Sequence, residues 1–184
     1  PELIVKPIQQ PLFTVDPTDW KLLDLQQEDF AKSLGEGHHL IKGVAGSGKT
    51  LILAYRARYL HKLRKDWNIL FVCYNKSLKN YVRKILTSLI DNEDIRKIDI
   101  FHFHELVTKK TGISAARLQG ETDQDWDGRL GTNLLISAKN NMIHGHKYDA
   151  IMIDEAQDFS TEWLKGIRHL LGKTDIITIA LDPA

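Results

Sequence analysis

The sequence predicts an α/β domain, a parallel sheet with helices on both faces. Three observations carry that expectation. Five short apolar runs rich in Ile, Val, Leu and Phe have the unbroken hydrophobicity of strands buried on both sides. Between them lie segments whose apolar residues return at helical spacing. The first run leads through a glycine-rich loop straight into a helical segment.

Taken in order, residues 1–24 are punctuated by proline, lack a clear period and read as an extended lead-in, with the domain proper over 25–184. A helix is expected over 26–34, stopped by Gly35 and Gly37. The first strand is 39–44. The helix after it, 51–65, sets Leu53, Ala57, Leu60 and Leu63 on one face with Arg56, Arg58, Lys62 and Arg64 between them. Strand 68–73 ends on Cys73, the only cysteine, so no intramolecular disulfide forms and the thiol reads as a small buried hydrophobe. Helix 76–90 buries Leu78, Val82, Ile85 and Leu89. Strand 97–101 and helix 103–110 follow. Residues 112–129, with several glycines and the acidic run 121–127, read as a surface insertion. Helix 128–142, strand 148–154, helix 161–171 and strand 175–181 complete the pattern.

The chain has 184 residues, enough for one domain with a sizeable core. Its net charge of +1 excludes a polycation, so any nucleic-acid contact must use a local patch. Residues 75–84, with Lys76, Lys79, Arg83 and Lys84, are one candidate; a solvated helix face is the simpler alternative. No apolar run is long enough to span a bilayer, and no secretory signal is present. A cytoplasmic protein with no membrane partner is expected, and the start at Pro1 rather than Met reads as an excised piece.

The most informative stretch is Gly43-Val44-Ala45-Gly46-Ser47-Gly48-Lys49-Thr50, which fits G-x-x-x-x-G-K-[ST], the P-loop signature. Its glycines let successive backbone N–H groups turn inward around phosphate oxygens, and the helix behind it aims its positive end at the same anion. Lys49 can reach the β- and γ-phosphates and Thr50 can ligate Mg²⁺. The second half of such a site is the apolar run 148–153 closed by Asp154 and Glu155. There Asp154 would hold Mg²⁺ and Glu155 would act as general base on the attacking water.

Asp154-Glu155-Ala156-Gln157-Asp158 resembles motif II, D-E-x-Q-D, of superfamily 1 helicases of the UvrD type. Further matches fall in that family's order. The glycine loop resembles its motif I, and Gln27 stands where the family's Q motif recognises adenine, with Gln26 as the alternative by one register. Tyr74-Asn75-Lys76 resembles motif Ia and His102-Phe103-His104 motif Ib, both of which touch single-stranded nucleic acid in the family. Residues 179–184, with Asp182, resemble the start of motif III. The resemblance implies a RecA-like P-loop domain that binds ATP and Mg²⁺, with Lys49, Asp154, Glu155 and Gln157 as its catalytic set. It implies nucleic-acid contacts at Tyr74, Asn75, Lys76, Phe103 and His104, the partner being single-stranded DNA or RNA. The rings of Tyr74 and Phe103 could equally be ordinary core. His102, His104, His144 and His146 lack partners at zinc-ligand spacing.

The chain departs from the pattern in three places. Leu51, counted with the nucleotide-binding positions, stands where the family has an arginine, and Arg56 or Arg58 is the candidate substitute. The short segment between motifs Ib and II implies that the family's 1B insertion is reduced or absent. The sequence ends at Ala184, where the family would place the motif III glutamine, so the second RecA-like domain with its arginine finger is expected to be missing. Alone, the domain is then expected to bind nucleotide weakly and hydrolyse it poorly. A nucleotide-operated switch that never moves on nucleic acid, and a scaffold domain with an inactive loop, are the competing readings.

Overall fold

The structure, a computed structural model, describes residues 17–91 and 94–183. Five strands form one sheet: β1 (His38–Lys42), β2 (Ile69–Cys73), β3 (Ile98–His102), β4 (Tyr148–Ile153) and β5 (Leu171–Leu181). Their order is β1-β5-β4-β2-β3, and every pairing is parallel. The helices are α1 (Pro17–Ser33), α2 (Lys49–Leu63), α3 (Lys76–Leu89), α4 (Phe103–Thr111), α5 (Asp123–Lys139) and α6 (Thr161–Arg168), with short 3₁₀ turns at Asp94–Lys97 and Ala156–Asp158.

The continuous hydrophobicity of β2 has a simple cause: all five of its residues are buried. Side chains alternate across a strand, so Ile69, Phe71 and Cys73 join Leu53, Ala57, Leu60, Val82 and Leu86 of α2 and α3 on one face. Leu70 and Val72 join Phe103, Leu106, Leu134, Trp163 and Ile167 of α4, α5 and α6 on the other. Burial on the first face also pushes the Cys73 thiol well above its ordinary pKa, which suits a packing role. None of the helices among the described residues is long and apolar enough to cross a membrane.

Three boundaries differ from expectation, each for a local reason. The first helix begins at Pro17 rather than 26. A proline in the first turn sacrifices no intrahelical hydrogen bond and has a helical φ already fixed, so this proline starts a helix where an extended lead-in is expected. Residues 1–16 of that lead-in lie outside the described residues. Of the expected insertion 112–129, residues 112–122 lack helix or strand, but 123–127 of the acidic run are the start of α5: Thr122 and Asp125 form a reciprocal capping box, and Asp123 and Asp125 face the positive helix end. The last strand starts at Leu171, with a register irregularity between Tyr148 and Ala150.

Glycine lets α5 and α6 approach closely. A Cβ on Gly131 would lie 2.6 Å from Cδ1 of Trp163, whose indole nitrogen donates to the Asp127 carbonyl at 2.8 Å. That pair of helices roofs the second face. The strand order places β5 between β1 and β4, with Lys42 level with Leu181 and Ile153 level with Ile179. The carboxyl ends of three strands therefore meet, the place where open α/β sheets bind ligands.

Candidate functional site

β1 stops at Lys42, and the glycine loop leaves the sheet there, with the Gly43 N–H on the Leu181 carbonyl at 3.4 Å. Gly46 and Gly48 have φ of +78° and +83°, the left-handed region where a side chain is strained. Ser47 N–H donates back to the Val44 carbonyl at 3.1 Å and closes the turn. The helix behind it, α2, starts at Lys49 with no side-chain cap and no acid in its first turn. Its leading N–H groups and its positive dipole end are left facing the loop, the arrangement an anion uses. Val44, Ala45 and Gly46 are exposed, and Leu51 is half-buried beside Thr50.

Gln27 reaches this loop from α1. A Cβ on Gly48 would lie 2.1 Å from Gln27 Nε2, so the amide packs directly on the loop backbone. Its Oε1 is buried with no hydrogen-bond partner among the described residues. Gln26 is exposed, so of the two candidates it is Gln27 that meets the loop.

Lys49 is 5% exposed. Its ammonium donates to the carbonyls of Gly43 at 2.8 Å and Val44 at 3.1 Å, and to the Asp182 carboxylate at the end of β5. Next to it, Thr50 Oγ1 donates to Asp154 Oδ2 at 2.7 Å. Asp154 is completely buried, and that desolvation pushes its pKa up to about 6 against the opposing Thr50 hydrogen bond, with the Glu155 charge adding to the rise. A desolvated carboxylate beside a hydroxyl offers the hard oxygen ligands that Mg²⁺ takes, and a cation there would relieve what burial imposes. Thr50 and Asp154 therefore fit a divalent metal.

Glu155 sits at φ +53° and ψ +47°, a left-handed conformation uncommon for a non-glycine residue and typical of functional turns. Its backbone N–H donates to Asp154 Oδ1 at 3.1 Å. Gln157 bridges outward: Nε2 donates to Glu155 Oε2 at 2.6 Å, and Oε1 accepts from the Asp182 N–H at 3.1 Å. Asp158 close by is held above the usual carboxylate range by burial first, then by the charges of Glu155 and Asp182. The link from Lys49 through Asp182 and Gln157 to Glu155 is not deducible from the sequence alone. Its signals there are the resemblance of residues 154–158 to motif II and of 179–184 to motif III, which name Gln157 and Asp182 but not the contact of Asp182 with Lys49.

Neither substitute arginine reaches the loop. Arg56 is buried and donates to the carbonyls of Ala31, Leu34 and Gly35, capping the carboxyl end of α1. Arg58 pairs with Glu28 at 3.2 Å.

The nucleic-acid candidates share the neighbouring rim, because Cys73 and His102 are paired at the ends of β2 and β3. Lys76 is exposed in the first turn of α3, and Asn75 caps that helix by accepting from the Leu78 N–H at 2.9 Å. Tyr74 is half-buried, its ring 6.3 Å from Trp163 and 6.1 Å from Phe159. Phe103 is a correction. It is fully buried and stacked on Trp163 with centroids 3.5 Å apart, so its faces belong to the core and not to a base. His104 stacks on Trp126 at 4.3 Å and lies 3.5 Å from Asp127. Burial lowers the pKa of His104 and of His102, which sits 3.2 Å from Glu105. Lys79 is spent on the same Glu105 at 2.8 Å, which leaves Lys76 as the free cation of the first turn of α3 among the described residues.

The model of the UvrD/REP helicase N-terminal domain family matches residues 23–143. That span covers Gln27, the glycine loop and the rim from Tyr74 to His104, and it stops short of Asp154, which only the folded geometry brings to Thr50. No curated protein matches the chain. The all-parallel sheet with helices on both faces is the RecA-like P-loop architecture of that family. With well over half of its residues matched, the chain belongs to the UvrD/REP helicase N-terminal domain family.

Proposed function

We propose that this domain binds ATP with Mg²⁺ and hydrolyses it, as the ATP-binding core of a superfamily 1 helicase or translocase acting on single-stranded DNA or RNA. The observation that carries the reading is the convergence of Lys49, Thr50, Asp154 and Glu155 at one sheet end, from β1 and β4. The uncapped N–H groups where the loop enters α2 cradle the phosphates, Lys49 neutralises their charge, and Gln27 beside Gly48 meets the adenine. Thr50 and Asp154 would hold Mg²⁺, which when bound would supply charge neutralisation at the phosphates. Glu155 accepts the proton of the attacking water, oriented by the 2.6 Å hydrogen bond from Gln157. Lys76 takes a backbone phosphate of the strand beside the cleft, with Asn75, Tyr74 and His104 along the same rim. A second RecA-like domain is the natural second wall of the cleft.

The burial of Phe103 removes one base-stacking surface and favours, to that extent, a nucleotide-operated switch that does not move on nucleic acid. Turnover of ATP by the protein carrying this domain, with and without a single-stranded oligonucleotide, separates the two. Stimulation supports the motor, and none with any single strand supports the switch.

A further inference from the structure

An ammonium has three N–H donors and no acceptor. In Lys49 all three have partners within the protein: the carbonyls of Gly43 and Val44, and the Asp182 carboxylate. The group that a phosphate must engage thus has no donor to spare. The arrangement has a physical reason. Lys49 is almost fully buried, and a buried charge without a counter-charge is strongly unfavourable. Asp182 supplies that counter-charge from the end of β5, where its side chain is 32% exposed.

We propose that Asp182 is an internal stand-in for phosphate: it neutralises Lys49 in the empty site, and an incoming nucleotide must displace it. The Asp182 backbone N–H is held separately, by Gln157 Oε1 at 3.1 Å. Asp182 is therefore a residue that sets nucleotide affinity. The inference rests on the reading of residues 43–50 as the nucleotide site.

The test is calorimetric titration of ATP, with Mg²⁺ and with EDTA, into wild type, Asp182→Asn, Asp182→Ala, Lys49→Ala and the Asp182→Ala/Lys49→Ala double variant. Removing the competitor leaves the phosphate an unpaired ammonium, so both Asp182 variants bind ATP about tenfold more tightly, whether or not Mg²⁺ is present. The gain vanishes in the double variant. Without nucleotide, Asp182→Ala melts at a lower temperature than wild type, and ATP raises its melting point by more. Unchanged or weaker binding by both Asp182 variants overturns the proposal. Weaker binding confined to Mg²⁺ also overturns it, because it makes Asp182 a metal-side ligand. If wild type binds ATP and Lys49→Ala does not, the nucleotide site stands whatever Asp182 does. If no protein in the set binds ATP, both readings fall.

Discussion

Thr50 and Asp154 stand 104 positions apart in the chain, yet the threonine hydroxyl donates to the aspartate carboxylate at 2.7 Å. The contact joins the first turn of α2 to the end of β4. Replacing Asp154 with Ala removes one of the two proposed Mg²⁺ ligands and leaves Thr50 without an acceptor. ATP turnover in Mg²⁺ is expected to fall about a hundredfold or more, read in a steady-state phosphate-release assay.

Asp154 also gives a pH signature. Its folded pKa of about 6 lies above its ordinary value, so between roughly pH 4 and 6 the folded protein holds a proton that the unfolded chain has released. That proton stabilises the metal-free protein at the acid end of the window, and the contribution is lost as pH rises through 6. Its slope is at most about 1.4 kcal/mol per pH unit. Urea unfolding without metal or nucleotide should show the decline in wild type and not in Asp154→Asn. Affinity for Mg²⁺ should move the opposite way and strengthen above pH 6, since ligation needs the carboxylate.

Glu155 is held in a left-handed turn by backbone and Gln157 contacts that glutamine retains. Glu155→Gln should leave ATP affinity within about twofold of wild type while turnover drops by about 10²–10⁴-fold, the range for a lost general base. Equal losses in binding and turnover would point to a collapsed turn rather than to an absent base.

On the rim, Lys76 and Phe103 should behave oppositely. Lys76→Ala should weaken single-strand binding with no change in melting point, and lower the slope of log K against log salt by about one. Phe103→Ala should lose about 3 kcal/mol or more of stability by emptying the stack on Trp163. Fluorescence anisotropy over a salt series and urea unfolding check the two.

Much of this architecture was legible in the sequence where one physical demand dominated. β2 is apolar throughout because both faces of the sheet bury it, and the loop had to be glycine-rich because Gly46 and Gly48 sit at positive φ. The Asp154–Glu155 pair was legible because acids rarely close a buried strand without a charge to hold. What escaped depended on distant partners. Phe103 is core only because Trp163, 60 positions later, lies flat on it. Arg56 serves the carbonyls of α1 because that helix packs across α2, which no spacing within α2 announces. Asp182 meets Lys49 only because β5 is inserted between β1 and β4. The acidic residues 121–127 look like a loop because composition alone does not separate a solvated loop from a helix N-terminus that wants negative charge.

The proposal that residues 43–50, Asp154 and Glu155 make one ATP–Mg²⁺ site is tested most directly by titrating ATP–Mg²⁺ into wild type and Lys49→Ala. Saturable one-to-one binding by wild type, weakened at least about tenfold in Lys49→Ala, is the predicted result. Equal affinity of the two proteins would contradict it.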